Sequence, residues 1–171
     1  MVEGFDPGSV TFHDPHCVRL CPSNPDRLYQ QNHCGIYRLD RPARRWQRIG
    51  RNMPVAVGDI GFPMVIHPRD ADTAWFVPAT KDERRIPVDA QVVVARTRDG
   101  GRSFDVLRDG LPQQHAYDLV YRHALAVDGT GERLAFGSTT GGVWTSDDQG
   151  DHWTLLPARL PPVLAVEFVP G

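Results

Sequence analysis

The chain has 171 residues, of which 40% are hydrophobic and 23% charged, a composition typical of an ordered globular domain. Its formal net charge is −2, so it lacks the overall positive charge with which proteins attract nucleic acids and anionic membranes. We therefore expect neither nucleic acid nor a membrane surface among its partners.

The three cysteines, Cys17, Cys21 and Cys34, form no CxxC pair, and an odd number is typical of free thiols in a reducing compartment. No apolar run approaches the roughly 20 residues of a membrane helix, and the first residues form no basic-then-apolar leader. The expected location is cytoplasmic, unless an upstream segment with a signal is missing.

In chain order, the sequence consists of short apolar runs separated by turns rich in Gly and Pro, of which there are 16 and 15. No stretch of about ten residues keeps the period of a helix, so the pattern predicts an all-β fold. The runs recur in sets of four. The sets are HCVRLC, NPDRLYQQ, GIYRL and WQRI; FPMVIH, DADTAWFV, QVVVAR and FDVL; and HALAVD, GTGERLAFG, GVWTS and WTLL.

The three sets lie at residues 15–49, 62–107 and 121–156. Repeats of about 45–50 residues with four strands each have the period of β-propeller blades. A further run, VLAVEFV at 163–169, looks like the first strand of a fourth set. We therefore predict one domain over residues 1–171, a partial propeller of three four-stranded antiparallel blades and one strand of a fourth.

A turn motif lies between the third and fourth runs of each set. It has a hydroxyl residue, an aspartate, a glycine and an aromatic residue at steps 0, 2, 4 and 7, and the copy in the first set keeps only the aspartate and the aromatic, with one residue inserted. The copies are Thr97, Asp99, Gly101 and Phe104; Ser146, Asp148, Gly150 and Trp153; and Asp40 and Trp46.

Each part of this motif has a structural explanation. Ser, Thr and Asp side chains bind backbone N–H groups within a turn, and glycine adopts backbone angles that other residues resist. The aromatic residue begins the outgoing strand and anchors it in the core. We therefore expect the motif to close a β-hairpin, as a clasp, and not to catalyse a reaction.

The motif resembles the Asp-box, or BNR repeat, of sialidases, sortilin-type receptors and photosystem II assembly-factor-like propellers. The strings DRLYQQNHCGIYR and GLPQQHAYDLVYRHALAVDG resemble, more narrowly, a bacterial group described as BNR-repeat glycosyl hydrolases or exo-sialidase-like proteins. The resemblance covers essentially the whole chain and implies a propeller. Since propellers close with about 4–8 blades, three blades imply a fragment of a larger ring, or a half that a second copy completes.

In blades of this kind the first strand lines the central channel, and the clasps lie at one end of it. The opposite end, which we call the loop-rich face, collects the links between blades and the turns from second to third strand. Most of the polar residues outside the clasps fall there, so we expect a carbohydrate or protein ligand to bind this face. The candidate ligand-binding residues are His13, His16, Asn32, His33, Asp59, His115 and Tyr117, with Asp14 beside them.

An enzymatic function stays open, and the resemblance implies that it would be a sialidase-like glycoside hydrolase. Such catalysis needs a nucleophile, an acid and arginines that bind the substrate carboxylate. Tyr121, Asp118 and Arg122 are weak candidates for these roles. The string RRIP at 84–87 is similar to the Phe/Tyr-Arg-Ile-Pro signature of sialidases, which adds Arg85 to the candidates.

Two other kinds of site are not expected. Histidines and cysteines are dense in HDPHCVRLC and NHC, but their spacings fit no zinc site, so we predict no metal and no cofactor. RPARRWQR mixes arginines with Trp46, as grooves that bind single-stranded nucleic acid do. Trp46 is already assigned as the aromatic residue of the turn motif and the chain is net acidic, so we expect a solvent-exposed arginine face instead. The leading hypothesis is a ligand- or protein-binding scaffold; the alternatives are an exo-sialidase-type hydrolase and an assembly or stability factor for a larger complex.

Overall fold

The computed structural model of the chain describes residues 14–80 and 84–169, and every structural statement below refers to that part of the chain. It contains twelve β-strands, two short 3-10 turns at Ile49–Asn52 and Val88–Ala90, and no α-helix. Nothing in these residues therefore has the helical length and hydropathy that crossing a lipid bilayer requires.

The strands form three four-stranded antiparallel sheets, each paired in chain order, which we call blades 1, 2 and 3. Blade 1 comprises β1 (Pro15–Cys21), β2 (Asn24–Asn32), β3 (Gly35–Asp40) and β4 (Gln47–Arg48). Blade 2 comprises β5 (Gly61–Ile66), β6 (Ala74–Pro78), β7 (Val94–Thr97) and β8 (Asp105–Leu107). Blade 3 comprises β9 (Leu125–Val127), β10 (Leu134–Gly137), β11 (Val143–Ser146) and β12 (Thr154–Leu155). The predicted all-β fold is confirmed.

The hydrophobic core has two large clusters between the blades and a third, small cluster of Phe62, Ala79 and Leu119. One large cluster joins blade 1 to blade 2 and includes Tyr29 and Phe76; the other joins blade 2 to blade 3 and includes Trp75 and Phe136. Because successive side chains of a strand point to opposite faces, Trp75 and Phe76 of β6 enter different clusters. Blade 2 is thus covered on both faces, and all five residues of β6 are buried.

Residues 163–169 form a bridge to blade 3 instead of a full strand. Ala165 makes an isolated parallel bridge with His123, and the N–H of Val166 donates to the carbonyl of His123 at 2.9 Å. The segment lies beside the inner edge of blade 3, where the first strand of a next blade would lie. Its residues and the first strands of the three blades line an open cavity of about 410 Å³.

The clasp of blade 2 is closed by its own side chains. The hydroxyl of Thr97 accepts the N–H of Gly101 at 2.8 Å and donates to the carboxylate of Asp99 at 2.9 Å. That carboxylate accepts the N–H groups of Arg102 and Ser103, at 2.8 and 2.9 Å. Gly101 has φ +89°, in the left-handed region where glycine is favoured.

The clasp of blade 3 repeats this arrangement. The hydroxyl of Ser146 donates to Asp148 at 2.8 Å and accepts the N–H of Gly150 at 2.9 Å, and Asp148 accepts the N–H of His152 at 2.9 Å. The aromatic residue that follows, Trp153, is 4% exposed and lies on the ring of Phe136 at 4.9 Å. The predicted turn mechanism therefore describes both complete copies.

The incomplete copy in blade 1 works differently. The carboxylate of Asp40 forms ion pairs with Arg27, at 2.6 Å, and with Arg38, at 3.0 Å. Trp46 is only half-buried, unlike Trp153. Where the hydroxyl and the glycine are missing, the aspartate thus binds the side chains of Arg27 on the neighbouring strand β2 and of Arg38 on its own strand β3.

Candidate functional site

The loop-rich face gathers side chains from all three blades around one aromatic ring, that of Phe62. This residue is the second of β5 and is 1% exposed. The imidazole of His16 stacks on it with 4.6 Å between ring centroids. The guanidinium carbons of Arg85 and Arg122 lie 5.4 and 5.7 Å from its centroid, and Tyr121 meets it edge-on at 6.1 Å.

Asp14 and His33 adjoin this group through His16. The rings of His16 and His33 have centroids 5.7 Å apart, and the Nε2 atom of His16 lies 3.8 Å from the carboxylate of Asp14. We call the whole cluster the mouth. It comprises Asp14, His16, His33, Phe62, Arg85, Tyr121 and Arg122.

The blade architecture explains why these residues meet. His16 and Phe62 stand near the starts of β1 and β5, and Tyr121 and Arg122 come shortly before β9. In a propeller the first strands of successive blades surround one channel, so their first residues converge at the same end of it. Arg85 reaches this end from the loop between β6 and β7.

His16 is held in one orientation. Its side chain is only 1% exposed, and its Nδ1 atom lies 2.7 Å from the carbonyl oxygen of Gly61. A carbonyl only accepts, so Nδ1 bears the proton and donates, which leaves Nε2 with its lone pair toward Asp14. Burial lowers the pKa of His16, against the opposing effect of the Gly61 hydrogen bond, so the neutral imidazole is the favoured form.

Backbone pairing fixes Asp14 and His33 relative to each other. The amide N–H of His33 donates to the carbonyl of Asp14 at 2.9 Å, which extends the pairing of β1 with β2 by one step. One carboxylate oxygen and one ring nitrogen from each of two imidazoles then lie within 4.8 Å of one another. Asp14, His16 and His33 are therefore the mouth residues that could hold a metal ion.

The two arginines give the mouth a positive side. Arg85 is exposed and Arg122 half-buried, and both lie against the ring of Phe62. Guanidinium groups near an aromatic ring gain a cation–π attraction, and their planar fork of N–H donors matches planar anions such as carboxylates. Chemically, the mouth can bind an anionic group over an apolar floor.

Two of the predicted ligand-binding residues are engaged in the structure itself. The side chain of Asn32 accepts the N–H of Cys34 and donates to Gln30, both at 2.9 Å, and so holds the turn after β2. Asp59 is buried in a bidentate pair with Arg48, with both distances 3.0 Å. This Arg48–Asp59 pair has no signal in the sequence, because it joins β4 to the link between blades.

The remaining candidates lie in the link between blades 2 and 3 or outside the described residues. Asp118 accepts hydrogen bonds from the hydroxyls of Ser138, at 2.9 Å, and Thr140, so its carboxylate is bound to blade 3. His115 and Tyr117 are exposed on that link. His13 is outside the part of the chain that the structure describes.

The three cysteines of the strings HDPHCVRLC and NHC lie where burial favours the neutral thiol. Cys17 and Cys21 are buried, with their sulfur atoms near the carbonyls of Met64, at 4.0 Å, and Ala71, at 3.9 Å. Burial raises the pKa of Cys21 to about 11, and it also raises the pKa of Cys17 and of Cys34. Metal ligation and nucleophilic attack both need the thiolate, so these sulfurs are poor candidates for either.

Phe62 itself was not expected from the sequence. It begins the run FPMVIH, which the sequence pattern indicated only as the first strand of the second set, and it is buried in the structure. The available signal was its position, since it stands near the start of a first strand, as His16 does in blade 1. An aromatic residue at that position faces the same end of the channel as the loops.

Comparisons with known proteins support the fold. No protein-family model and no curated protein matches the chain. Among solved structures it is similar to the GH74 xyloglucanase of Xanthomonas campestris, with TM-score 0.65, 25% identity, and 83% of this chain covering 20% of that one. It is also similar to a GH74 enzyme of Niastella koreensis, with TM-score 0.62, 17% identity, and 84% covering 21%.

A third similar structure is YCF48 of Cyanidioschyzon merolae, with TM-score 0.53, 13% identity, and 81% of this chain covering 35% of that one. All three are β-propellers. The chain spans about a fifth of the length of the GH74 enzymes it matches. It therefore forms blades of a β-propeller.

Proposed function

We propose that this chain is part of an Asp-box, or BNR-repeat, propeller that acts as a binding scaffold and holds a carboxylate-bearing saccharide in its mouth. The clasps at Thr97–Phe104 and Ser146–Trp153 support the repeat class by their hydrogen bonds. The single observation on which the function depends is the placement of Arg85, Arg122 and His16 on the ring of Phe62.

The chemistry of the mouth favours an anionic ligand with an apolar face. A guanidinium group suits a carboxylate, because it can present two parallel N–H donors to the two carboxylate oxygens, and a second cation nearby adds electrostatic attraction. The buried ring of Phe62 and the edge of Tyr121 offer the apolar surface on which a sugar ring packs. The similarity to carbohydrate-active propellers supports a saccharide over a protein ligand.

Binding of simple acidic sugars tests this proposal. We expect glucuronic acid or N-acetylneuraminic acid to bind by calorimetry, and neutral methyl glucoside to bind far more weakly. Arg122→Gln should weaken the acidic sugar about tenfold or more, because it removes a charge-assisted hydrogen bond. Arg44→Gln, an exposed arginine in the turn after β3, is the matched control and should leave affinity unchanged.

The proposal is wrong if neutral and acidic sugars bind alike, or if Arg44→Gln and Arg122→Gln have equal effects. If only an acidic peptide or protein binds, and Arg122→Gln abolishes that binding, the scaffold role survives but the saccharide class does not.

A hydrolase of exo-sialidase type is the second candidate, since Tyr121 lies on the same ring as both arginines. A hydrolase is disfavoured because few carboxylates of the described residues lie near Tyr121. Glycoside hydrolases use an acidic partner beside the nucleophile or base. Of the seven mouth residues, Asp14 is the one with a carboxylate. The carboxylate of Asp118 is bound to hydroxyl groups of blade 3. Turnover of a fluorogenic sialoside that Tyr121→Phe abolishes would favour the enzyme over the scaffold.

We also propose that further blades complete the ring, supplied by the same polypeptide or by a second copy. Apolar side chains are exposed at both ends of the row of blades: Val18 and Leu20 are 41% and 55% exposed, and Leu164 and Val169 are 60% and 87% exposed. Sedimentation of the isolated chain tests whether a second copy supplies the missing blades. A dimer supports pairing of two copies, and a stable monomer refutes it.

A further inference from the structure

We propose that Asp14, His16 and His33 bind a divalent transition-metal ion of the zinc class at the edge of the mouth. This inference goes beyond the proposed function and does not depend on it. It also departs from the sequence-based expectation of no metal, which relied on how histidines and cysteines are spaced along the chain.

The first argument is the donor set and its spacing. Asp14 and His16 stand two residues apart at the start of β1, and His33 is hydrogen-bonded across from Asp14. Two imidazoles and one carboxylate make a common three-ligand set for zinc, cobalt or iron. Their donor atoms all lie within 4.8 Å of one another, so small side-chain rotations bring them to about 2.0–2.2 Å from one ion.

The second argument is the orientation of His16. Metal-bound histidines usually donate their other ring N–H to a carbonyl or carboxylate, which fixes the tautomer. The Nδ1 atom of His16 does this at 2.7 Å from the Gly61 carbonyl, and stacking on Phe62 at 4.6 Å fixes the ring plane. The free lone pair of Nε2 therefore points toward Asp14 before any metal arrives.

The third argument is the gap between Asp14 and His16. Their closest atoms are 3.8 Å apart, which is too long for a hydrogen bond. Two donors around a tetrahedral ion stand roughly 3.4 Å apart, given bonds of about 2.1 Å. The gap is therefore close to the separation that a shared ion imposes, and longer than a histidine–aspartate hydrogen bond requires.

Access and charge fit a site with an open position. The carboxyl side chain of Asp14 is 53% exposed, so an ion can enter from solvent, whereas His16 is buried behind it. Three protein ligands leave at least one position for water or an anion. The guanidinium of Arg122, which acts on His16, disfavours an unneutralised cation, so we expect the ion to bind together with an anion at that position.

Cobalt(II) serves as the probe, because its visible absorption reports the number and type of ligands. We expect the chelator-treated chain to bind one Co²⁺, with Zn²⁺ displacing it. Loss of a group that only supports a metal ligand typically weakens metal binding about 10–100-fold. His16→Gln and His33→Gln each remove a ligand itself, so each should weaken Co²⁺ binding by at least that factor. Asp14→Asn, at an exposed side chain, is the variant expected to fold normally.

His152→Gln is the matched control, since this histidine is exposed beside the Asp148 and Asp109 carboxylates at the clasp of blade 3. It should leave Co²⁺ affinity unchanged. The site is refuted if no 1:1 complex forms, or if His152→Gln lowers affinity as much as a folded Asp14→Asn does. Because the metal titration contains no sugar, the two proposals can be separated: Arg122→Gln should weaken saccharide binding about tenfold or more and still bind the metal.

Discussion

The aspartate of the turn motif has one role in the complete clasps of blades 2 and 3 and another in the incomplete copy of blade 1. In the complete clasps, Asp99 and Asp148 bind N–H groups of their own turns. In blade 1, Asp40 binds Arg27 and Arg38. Arg27 also pairs with Asp72, which lies in the turn before β6 of blade 2.

The comparison shows what the hydroxyl and the glycine contribute. With them, the aspartate is occupied by N–H groups of its own turn, and the preceding blade binds carbonyls of the clasp instead, as Asn52 binds that of Gly101 and Trp75 that of Gln149. Without them, the aspartate becomes part of an ion-pair chain that ties blade 1 to blade 2. We therefore expect loss of Asp99 or Asp148 to act first on the hairpin that it closes, and loss of Asp40 to act on the contact between blades 1 and 2.

The aromatic anchors should show the largest difference. Trp153→Ala removes a buried side chain that packs on Phe136, and we expect a loss of about 3–5 kcal/mol in the free energy of unfolding. Trp46→Ala should cost less than half of that, because Trp46 is only half-buried. Urea denaturation of both variants measures the contrast. Equal losses would mean that the incomplete copy anchors its hairpin as firmly as the complete one.

The aspartates come next. Asp99→Ala leaves the N–H groups of Arg102 and Ser103 without their carboxylate, and we expect a loss of about 2 kcal/mol. Asp40→Ala should cost about 1 kcal/mol or less, since the pair is partly exposed and Arg27 keeps Asp72. Salt separates the two mechanisms.

Denaturation in high salt should shrink the effect of Asp40→Ala and leave that of Asp99→Ala nearly constant, because salt screens an exposed ion pair more than a hydrogen bond within a turn. Equal salt dependence would show that the aspartates of the complete and incomplete copies stabilise the fold in the same way.

Acid should weaken the complete clasps. Hydrogen bonds from Ser103 and Thr97 to Asp99, and from His152 and Ser146 to Asp148, outweigh burial and lower the pKa of each carboxyl to about 2, from an ordinary 3.8. The unfolded chain then binds these protons first, so the stabilisation is complete above 3.8 and disappears as the pH falls toward 2. Asp99→Asn should flatten this part of the stability curve, and an unchanged slope would contradict the assignment.

The sequence predicted the blades and the clasps because both are local. A clasp is closed by residues within six positions of Thr97 or Ser146, and the four-strand period follows from alternating apolar runs and turns. The incomplete copy was predicted to be structural, but the ion pairs of Asp40 with Arg27 and Arg38, and of Arg27 with Asp72, were not predicted. Long-range ion pairs leave no periodic trace in a sequence.

The mouth was predicted less well for the same physical reason. His16, His33, Tyr121, Arg122 and Arg85 were singled out separately, as polar residues of loops or as parts of an enzyme. Their meeting place is set by Phe62, a residue whose apolar character indicated only the core. Which loop residues meet depends on the stacking of blades, whereas turn chemistry depends on neighbours in the chain.

The two complete clasps differ at step 6, where blade 2 has Ser103 and blade 3 has His152, each 2.6 Å from the clasp carboxylate. The pKa of His152 is raised above 6.5, mainly by its hydrogen bond to Asp148 and also by the negative charges of Asp148 and Asp109. The folded chain therefore holds this proton more tightly, so the contribution is complete below 6.5 and is lost as the pH rises through the raised pKa.

His152→Ser, which copies the clasp of blade 2, should keep the hydrogen bond and remove this dependence. Melting temperatures measured from slightly acid to slightly alkaline pH should fall more for the parent chain than for the variant. We expect the smallest effect of the series here, because His152 is exposed and solvent screens the pair. Parallel curves would show that the imidazole adds nothing to what the serine of blade 2 already supplies.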